Sequence, residues 1–297
     1  MKILVLANSS KGLFNFRKDL LKEFKDPGIY LDSYEHESHD VLICVPDDIN
    51  NENLENIGCK VINFDLDRRG KNPLKDLRLI KEYKNIIRSY NPNIILTYTI
   101  KPNVYGGIAA QKYKIPYIPN ITGLGTSIHK NNFTSKFIKN LYKIGIKGAS
   151  EIFVQNRSNL EFFKKNIIAD ANYNLIPGSG INLEKFVYKD YPSDTKPIKF
   201  ITVGRIMKDK GIDELLESII KIKNKYGPKV EFHIAGSYDD VSYKNEIDSL
   251  NKAGTINYLG FRNDIPEIIE DYHCIIHPSY HEGLSNVLLE AGATATP

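Results

Sequence analysis

The stretch His281-Glu282-Gly283-Leu284-Ser285-Asn286-Val287-Leu288-Leu289-Glu290 sets two carboxylates at either end of a glycine, a serine and an apolar run. Just upstream, Cys274-Ile275-Ile276-His277-Pro278 is a short apolar run stopped by a proline, which reads as a buried strand entering a loop. Ser285 is the expected N-cap of a helix, and Val287, Leu288 and Leu289 are too apolar for a solvated turn. A strand, loop and helix start of this kind leaves the backbone N–H groups from Gly283 through Leu284, Ser285 and Asn286 to Val287 facing one point, with the positive end of the helix dipole behind them. Such a place holds phosphate, and Gly283 has no side chain to block close approach. Glu282 and Glu290 cannot serve phosphate, but they accept hydrogen bonds from hydroxyls. The ligand that uses every part therefore carries both a diphosphate and sugar hydroxyls.

A second group, Gly204-Arg205-Ile206-Met207-Lys208-Asp209-Lys210-Gly211, follows the apolar run Ile198–Val203. A forked guanidinium and a point-charge ammonium beside a glycine can neutralise leaving phosphates without a metal; a turn with solvated charges is the other reading. Gly260-Phe261-Arg262 and Gly236-Ser237 also follow strand-like runs. In the first half, Ser10-Lys11-Gly12-Leu13 follows the first such run and opens a helix, without the G-x-G-x-x-G of a dinucleotide site. Lys101-Pro102-Asn103 and Thr122-Gly123-Leu124-Gly125-Thr126 occupy equivalent places after later runs. Asp65-Leu66-Asp67 has the look of a metal-binding pair but sits in a polar turn that hydration explains. The seven histidines lack metal-ligand spacing, so neither a metal nor a cofactor is expected.

The elements that must position these residues follow one theme, short β-branched runs alternating with helix-length amphipathic segments. That is the α/β pattern of a parallel sheet covered on both faces. Strands are expected at Ile3–Ala7, Val41–Val45, Val61–Phe64, Ile94–Tyr98, Tyr117–Ile121, Ile152–Gln155 and Asn174–Ile176, and again at Ile198–Val203, Val230–Ala235, Ile256–Leu259 and Cys274–His277. Helix Leu13–Lys25 would turn Phe16, Leu20 and Phe24 inward, and helix Leu77–Tyr90 would turn Leu77, Ile80 and Ile87 inward, with Lys84 interrupting. Around Pro177-Gly178-Ser179-Gly180 the pattern stops, which divides the chain into domains 1–185 and 186–297. In open parallel sheets ligands bind beyond the carboxyl ends of the strands, where all the candidate residues fall.

Composition is that of a soluble globular protein, at 41% hydrophobic and 26% charged, and no run approaches the ~20 apolar residues of a membrane span. The first apolar run meets Asn8-Ser9-Ser10 too soon to be a signal peptide, so a cytoplasmic protein is expected. Cys44 and Cys274 lie inside apolar runs and Cys59 follows a glycine, so three reduced thiols are expected, two of them in cores. Net charge is +4, yet residues 101–190 hold 13 basic against 5 acidic side chains, which suits an anionic partner such as a lipid surface or a diphosphate-linked acceptor better than nucleic acid. In Phe133–Lys147, Phe133, Phe137 and Leu141 share one helical face and Lys136, Lys139, Lys143 and Lys147 another. This is a basic amphipathic helix fitted to an anionic membrane surface or, equally, to packing on a sheet.

Glu282, seven residues and Glu290 resemble the Glu-x7-Glu motif of family 4 retaining glycosyltransferases, whose two Rossmann-like domains face a cleft in the GT-B fold. The segment from Gly204 to Gly211 resembles that family's Gly-Arg-Leu-x-x-x-Lys-Gly. The resemblance implies that Glu282 contacts the donor sugar and Glu290 the nucleotide ribose, while Arg205, Lys210 and the amides after Gly283 hold the donor diphosphate. It places Gly12 and Gly204 near that diphosphate and Phe261 at the base or in the core. It also implies a histidine near the donor sugar, for which His129 is only approximately placed. Lys101-Pro102-Asn103, the Thr122 and Gly123 segment, Arg68-Arg69-Gly70-Lys71-Asn72-Pro73 and the Pro177 to Gly180 hinge resemble bacterial transferases that extend undecaprenyl-diphosphate-linked sugars in glycan, capsule or O-antigen synthesis. The implied activity is transfer of a hexose or N-acetylhexosamine from a nucleotide sugar, UDP-linked, to a lipid-linked glycan. In that reading 1–185 binds acceptor, through Lys101, Thr122 and Gly123, and 186–297 binds donor. Relatives continue beyond Pro297, so the second domain is expected to be truncated. A UDP-sugar epimerase or hydrolase of the same fold, and a non-catalytic remnant, are the alternatives.

Overall fold

The computed structural model describes residues 1–28, 37–46, 50–66, 70, 72–123, 128, 133–192 and 197–297. Asp67, Arg68, Arg69, Lys71, Leu124, Gly125, Thr126 and His129 lie outside the described residues. The chain divides into two compact units, Met1–Ser179 and Gly180–Pro297, a few residues ahead of the boundary expected at 185.

Unit 1 runs β1 (Lys2–Leu6), α1 (Ser10–Lys25), β2 (Asp40–Val45), α2 (Asn51–Glu55), β3 (Lys60–Asn63), α3 (Pro73–Tyr90), β4 (Ile94–Tyr98), α4 (Gly107–Tyr113), β5 (Tyr117–Ile121), α5 (Phe133–Ile146), β6 (Ile152–Val154), α6 (Arg157–Asn166) and β7 (Tyr173–Leu175). Its seven strands are ordered β3-β2-β1-β4-β5-β6-β7, and every pair is parallel. Because strand side chains alternate, Leu4, Leu6, Leu42, Cys44 and Ile95 fill a core on one face, while Ile3, Val5, Val41, Ile43 and Leu96 fill a second core on the other. The strand order reverses between β1 and β4, the kind of position past whose carboxyl ends open parallel sheets bind ligands.

Unit 2 runs β8 (Ile198–Val203), α7 (Ile212–Tyr226), β9 (Val230–Ala235), α8 (Lys244–Lys252), β10 (Asn257–Gly260), α9 (Ile265–Ile269), β11 (Cys274–Ile275) and α10 (Asn286–Ala293). Its parallel sheet is ordered β10-β9-β8-β11, with the reversal between β8 and β11. Each expected strand is present, with ends displaced by a residue or two.

Helix faces depart from expectation in two places. In α1 the inward stripe is Leu13, Arg17 and Leu21, and Phe16 and Leu20 are exposed. The stripe turns by one residue because Arg17 buries its aliphatic stem and sets its guanidinium 5.1 Å above the Tyr98 ring. In α3 the inward residues are Leu79, Tyr83 and Ile87, with Ile80 half-buried and Leu77 exposed, because Tyr83 is the larger apolar body and packs edge-on against Phe64. Among the thiols, Cys44 and Cys59 are buried, and Cys274 is half-exposed because β11 ends the described sheet.

In α5, Tyr142, Gly145 and Ile146 face inward, and Phe133, Phe137 and Ile144 are exposed beside Lys136, Lys143 and Lys147. Phe133 is 85% exposed, so the aromatic stripe is not consumed by packing on the sheet. Among the described residues no helix is long and apolar enough to cross a membrane.

Candidate active site

The unit 2 site is assembled by two loops at the β8/β11 reversal. After β8 the chain passes Gly204 and Arg205, makes a single turn at Lys208–Lys210, and reverses at Gly211 into α7. Gly211 has φ 69°, and a Cβ there would lie 2.2 Å from the Pro278 carbonyl oxygen, so only glycine allows the two loops to meet. The join is completed by the Tyr280 N–H, which donates to the Asp209 carbonyl at 3.1 Å, and by the Ser279 hydroxyl, which donates to the same oxygen at 3.4 Å.

This contact brings Lys210 onto Glu282. The Lys210 ammonium donates to the Glu282 carboxylate, and His277 Nε2 stands 3.2 Å from the same oxygen. Burial alone would raise the Glu282 carboxyl. Hydrogen bonding from His277 and Lys210, the Lys210 charge and Ser279 outweigh it and bring the carboxyl down to about 2. Glu282 is therefore a fixed anion, able to orient a hydroxyl and unable to act as a general acid near neutrality.

Glu290 is the opposite case. It sits in α10 with burial as the cause of its shift and no countercharge to offset it, so its carboxyl is pushed up to about 7. A hydroxyl donor arriving from a ligand would favour its ionised form. Ser285 occupies the N-cap with extended backbone, as expected, but its side chain makes no capping hydrogen bond, so it takes up none of the first-turn amides. Gly283 precedes that turn, Leu284 is partly exposed at the surface, and Asn286 Nδ2 donates to the Gly180 carbonyl at 3.5 Å.

Arg205 Nη1 donates to Asp239 Oδ2 at 3.1 Å. Gly204, Gly236 and Gly260 stack at the carboxyl ends of β8, β9 and β10. A Cβ on Gly236 would lie 1.7 Å from the Gly204 carbonyl oxygen, and the Gly236 N–H donates to the Gly260 carbonyl at 2.7 Å. Phe261 follows this stack with an exposed ring, so the core reading of that residue is set aside.

In unit 1, the Gly12 N–H donates to Ser9 Oγ at 3.1 Å as part of the α1 cap, so it is already engaged within the protein. Lys101 lies after β4 with its ammonium 2.7 Å from Asp76 Oδ1. Thr122 and Gly123 follow β5 and are half-buried, with Gly123 at φ 158°. Sequence reasoning missed Asp76, Tyr105 and Asp239 as partners and His277 and Ser279 as site residues. The available signal was position: His277 and Ser279 stand just past a strand's carboxyl end, where a ligand group is expected.

Lys210, the Glu282 carboxylate and the start of α10 thus come together past the strand ends at the β8/β11 reversal. The chain belongs to the glycosyl transferase 4-like family, whose profile matches residues 2–156, and the glycosyl transferases group 1 profile matches residues 185–297. It is a glycosyltransferase. Among curated proteins it is 28% identical to the N,N'-diacetylbacillosaminyl-diphospho-undecaprenol alpha-1,3-N-acetylgalactosaminyltransferase of Campylobacter jejuni, over 99% of this chain and 78% of that protein. It is 26% identical to the UDP-Gal:alpha-D-GlcNAc-diphosphoundecaprenol alpha-1,3-galactosyltransferase of Escherichia coli, over 75% of this chain and 62% of that one. Among solved structures, sucrose-phosphate synthase of Thermosynechococcus elongatus superposes with a TM-score of 0.77 at 16% identity, covering 100% of this chain and 80% of that one. Anabaena HepE in complex with UDP gives 0.72 at 18% identity, covering 100% and 79%. These structural likenesses are of fold, the two-unit α/β type called GT-B.

Proposed function

We propose that this glycosyltransferase moves a hexose or N-acetylhexosamine from a UDP-sugar to a lipid-diphosphate-linked glycan in bacterial polysaccharide or glycan synthesis. The observation that carries the reading is the Lys210 and Glu282 pair, set beside the α10 start at the β8/β11 reversal. The activities of the two curated relatives, both on diphospho-undecaprenol acceptors, support the acceptor class. Charge growing on the leaving diphosphate is the main electrostatic demand of glycosyl transfer. Lys210, Arg205 and the first-turn amides of α10 answer it, in a scheme that asks for no metal and no cofactor. Glu282 orients the donor sugar and Glu290 the ribose, with the configuration at the transferred carbon retained. Within unit 2 Gly204 and Phe261 serve the donor, within unit 1 Lys101, Thr122 and Gly123 serve the acceptor, and Gly12 is assigned to the donor phosphates on the family resemblance alone.

The protein works in the cytoplasm, at the inner face of the plasma membrane, where α5 presents Phe133 and Phe137 to the acyl boundary and its lysines to anionic headgroups. The test is product analysis with a UDP-sugar and a lipid-diphosphate-linked acceptor: transfer yields a glycan one sugar longer. An altered or freed sugar without a longer glycan would mark an epimerase or hydrolase instead, and no product together with no UDP binding would mark a non-catalytic chain.

A further inference from the structure

The loop after β4 holds a charged arrangement that the donor chemistry of unit 2 leaves unused. Thr99 turns the chain at φ 75°, a strained conformation for a β-branched residue, and its hydroxyl is buried without a partner. The backbone then enters a π-helical turn, Pro102–Gly106, a rare geometry that recurs at functional sites. Asn103 pins that turn to the sheet. It accepts from the Thr97 hydroxyl at 2.7 Å and donates to the Asn120 carbonyl at 2.9 Å, all three residues being buried. On the far side Gly107 packs on α5, where a Cβ would lie 2.0 Å from the Gly145 carbonyl oxygen.

This over-determined segment fixes one cation. Lys101 Nζ donates to Asp76 Oδ1 at 2.7 Å, and the Tyr105 hydroxyl donates to Asp76 Oδ2 at 2.8 Å, so both oxygens of the carboxylate are occupied. Lys101 and Asp76 are only 15% and 18% exposed. A pair this sheltered adds little net stability, because desolvation offsets its attraction. The side chains next to it in sequence are apolar and exposed: Ile100 before Lys101, Leu77 after Asp76, and Leu74 in the same first turn of α3. An ammonium has three donors and Asp76 accepts one. A sheltered cation flanked by exposed hydrocarbon matches a ligand whose diphosphate is joined directly to an apolar chain.

We infer that Asp76 is a positioning residue that holds Lys101 for the diphosphate of a prenyl-diphosphate-linked acceptor, with Leu74, Leu77 and Ile100 against the adjoining hydrocarbon. The assignment rests on the acceptor class proposed above and lies wholly within unit 1.

The test titrates farnesyl diphosphate, inorganic diphosphate and UDP into the full chain and into Lys101→Gln and Asp76→Asn. Loss of a charge-assisted contact is expected to weaken farnesyl diphosphate about tenfold in Lys101→Gln and roughly threefold to tenfold in Asp76→Asn, with UDP affinity unchanged. In the unmutated chain, farnesyl diphosphate should also shield Lys101 from acetylation by acetic anhydride, read by mass spectrometry, while UDP should not. That measurement needs no variant to fold. Undiminished farnesyl diphosphate affinity in Lys101→Gln, or an unshielded Lys101, overturns the assignment. Inorganic diphosphate binding as tightly as farnesyl diphosphate overturns its apolar half. Loss of UDP binding by the parent chain, with the farnesyl diphosphate response intact, overturns the donor reading and leaves this one standing.

Discussion

Lys210 and Glu282, 72 residues apart in sequence, are joined in an ion pair between the loop after β8 and the loop after β11. The carboxylate keeps the ammonium at the strand ends, so in the proposed reaction a diphosphate entering beside α10 would meet a cation already in place. Such preorganisation lowers the cost of ordering a flexible side chain on binding.

Replacing Lys210 by Met tests that arrangement. A hydrogen bond to a charged group contributes about 1.5–3 kcal/mol, so UDP affinity should fall by about ten- to a hundredfold in calorimetry. Without Lys210 the Glu282 carboxyl also loses a hydrogen bond and a countercharge, and should titrate higher than about 2. Unchanged UDP affinity would remove Lys210 from the donor site.

Glu290 gives a pH dependence of defined sign. Its carboxyl is raised from 4.5 to about 7, so the folded state loses stability as pH climbs through that interval and carries the full cost above it. Glu290→Gln should therefore gain on the parent chain in unfolding free energy as pH rises from 5 to 8, by at most about 3 kcal/mol, read from denaturant melts. A ribose hydroxyl favours the ionised form, so UDP-sugar affinity should rise from pH 6 to 8 with proton release, and the Gln variant should be flat. A UDP-sugar is the right probe, because the terminal phosphate of UDP itself titrates near about 6. Glu282 has the reverse sign: its contribution is present above pH 4.5 and is lost as pH falls towards 2.

Two glycines separate fold from function. Gly211→Ala combines a φ of 69° with a Cβ 2.2 Å from the Pro278 oxygen, and should cost about 2–4 kcal/mol and abolish UDP binding. Gly12 lies in the first turn of α1, and a Cβ there meets nothing nearer than Ser9 at 3.6 Å. Gly12→Ala should leave stability unchanged or raise it by up to about 1 kcal/mol in thermal melts. If donor phosphates approach that turn, the same variant loses transfer activity; full activity would take Gly12 out of the donor site.

For the membrane, Phe133→Ser with Phe137→Ser should lower binding to vesicles of anionic phospholipid about tenfold or more in co-sedimentation, with melting unchanged because both rings are exposed. Equal binding by parent and variant would assign α5 no lipid role.

The strands were legible because most are short runs rich in β-branched and aliphatic residues, such as Ile3–Leu6 and Val41–Val45, which are buried, and the site loops followed from them, since ligands in such sheets lie past strand ends. The helix faces were less legible. Arg17 reads as polar yet is buried by its stem against Tyr98, which turns α1 by a residue. Partners joined through space were not legible at all. No periodicity links Asp76 to Lys101 or Asp239 to Arg205, because each contact depends on where a loop lands and not on the pattern of either segment.

The placement of β1 between β2 and β4 has a consequence for biosynthesis. Ile3 pairs with Val41 on one side and with Ile94 on the other, so during synthesis β1 can acquire one neighbour early and must wait for the second. At about 5–20 residues per second, the ninety-odd residues between Ile3 and Ile94 take roughly 5–20 s to emerge. For that interval an aliphatic edge, Ile3-Leu4-Val5-Leu6, is open to pairing with any other extended chain. Yield during expression is therefore expected to depend on how quickly β4 is made, and slowing translation between codons 50 and 94 should raise the insoluble fraction while leaving the properties of the folded enzyme untouched.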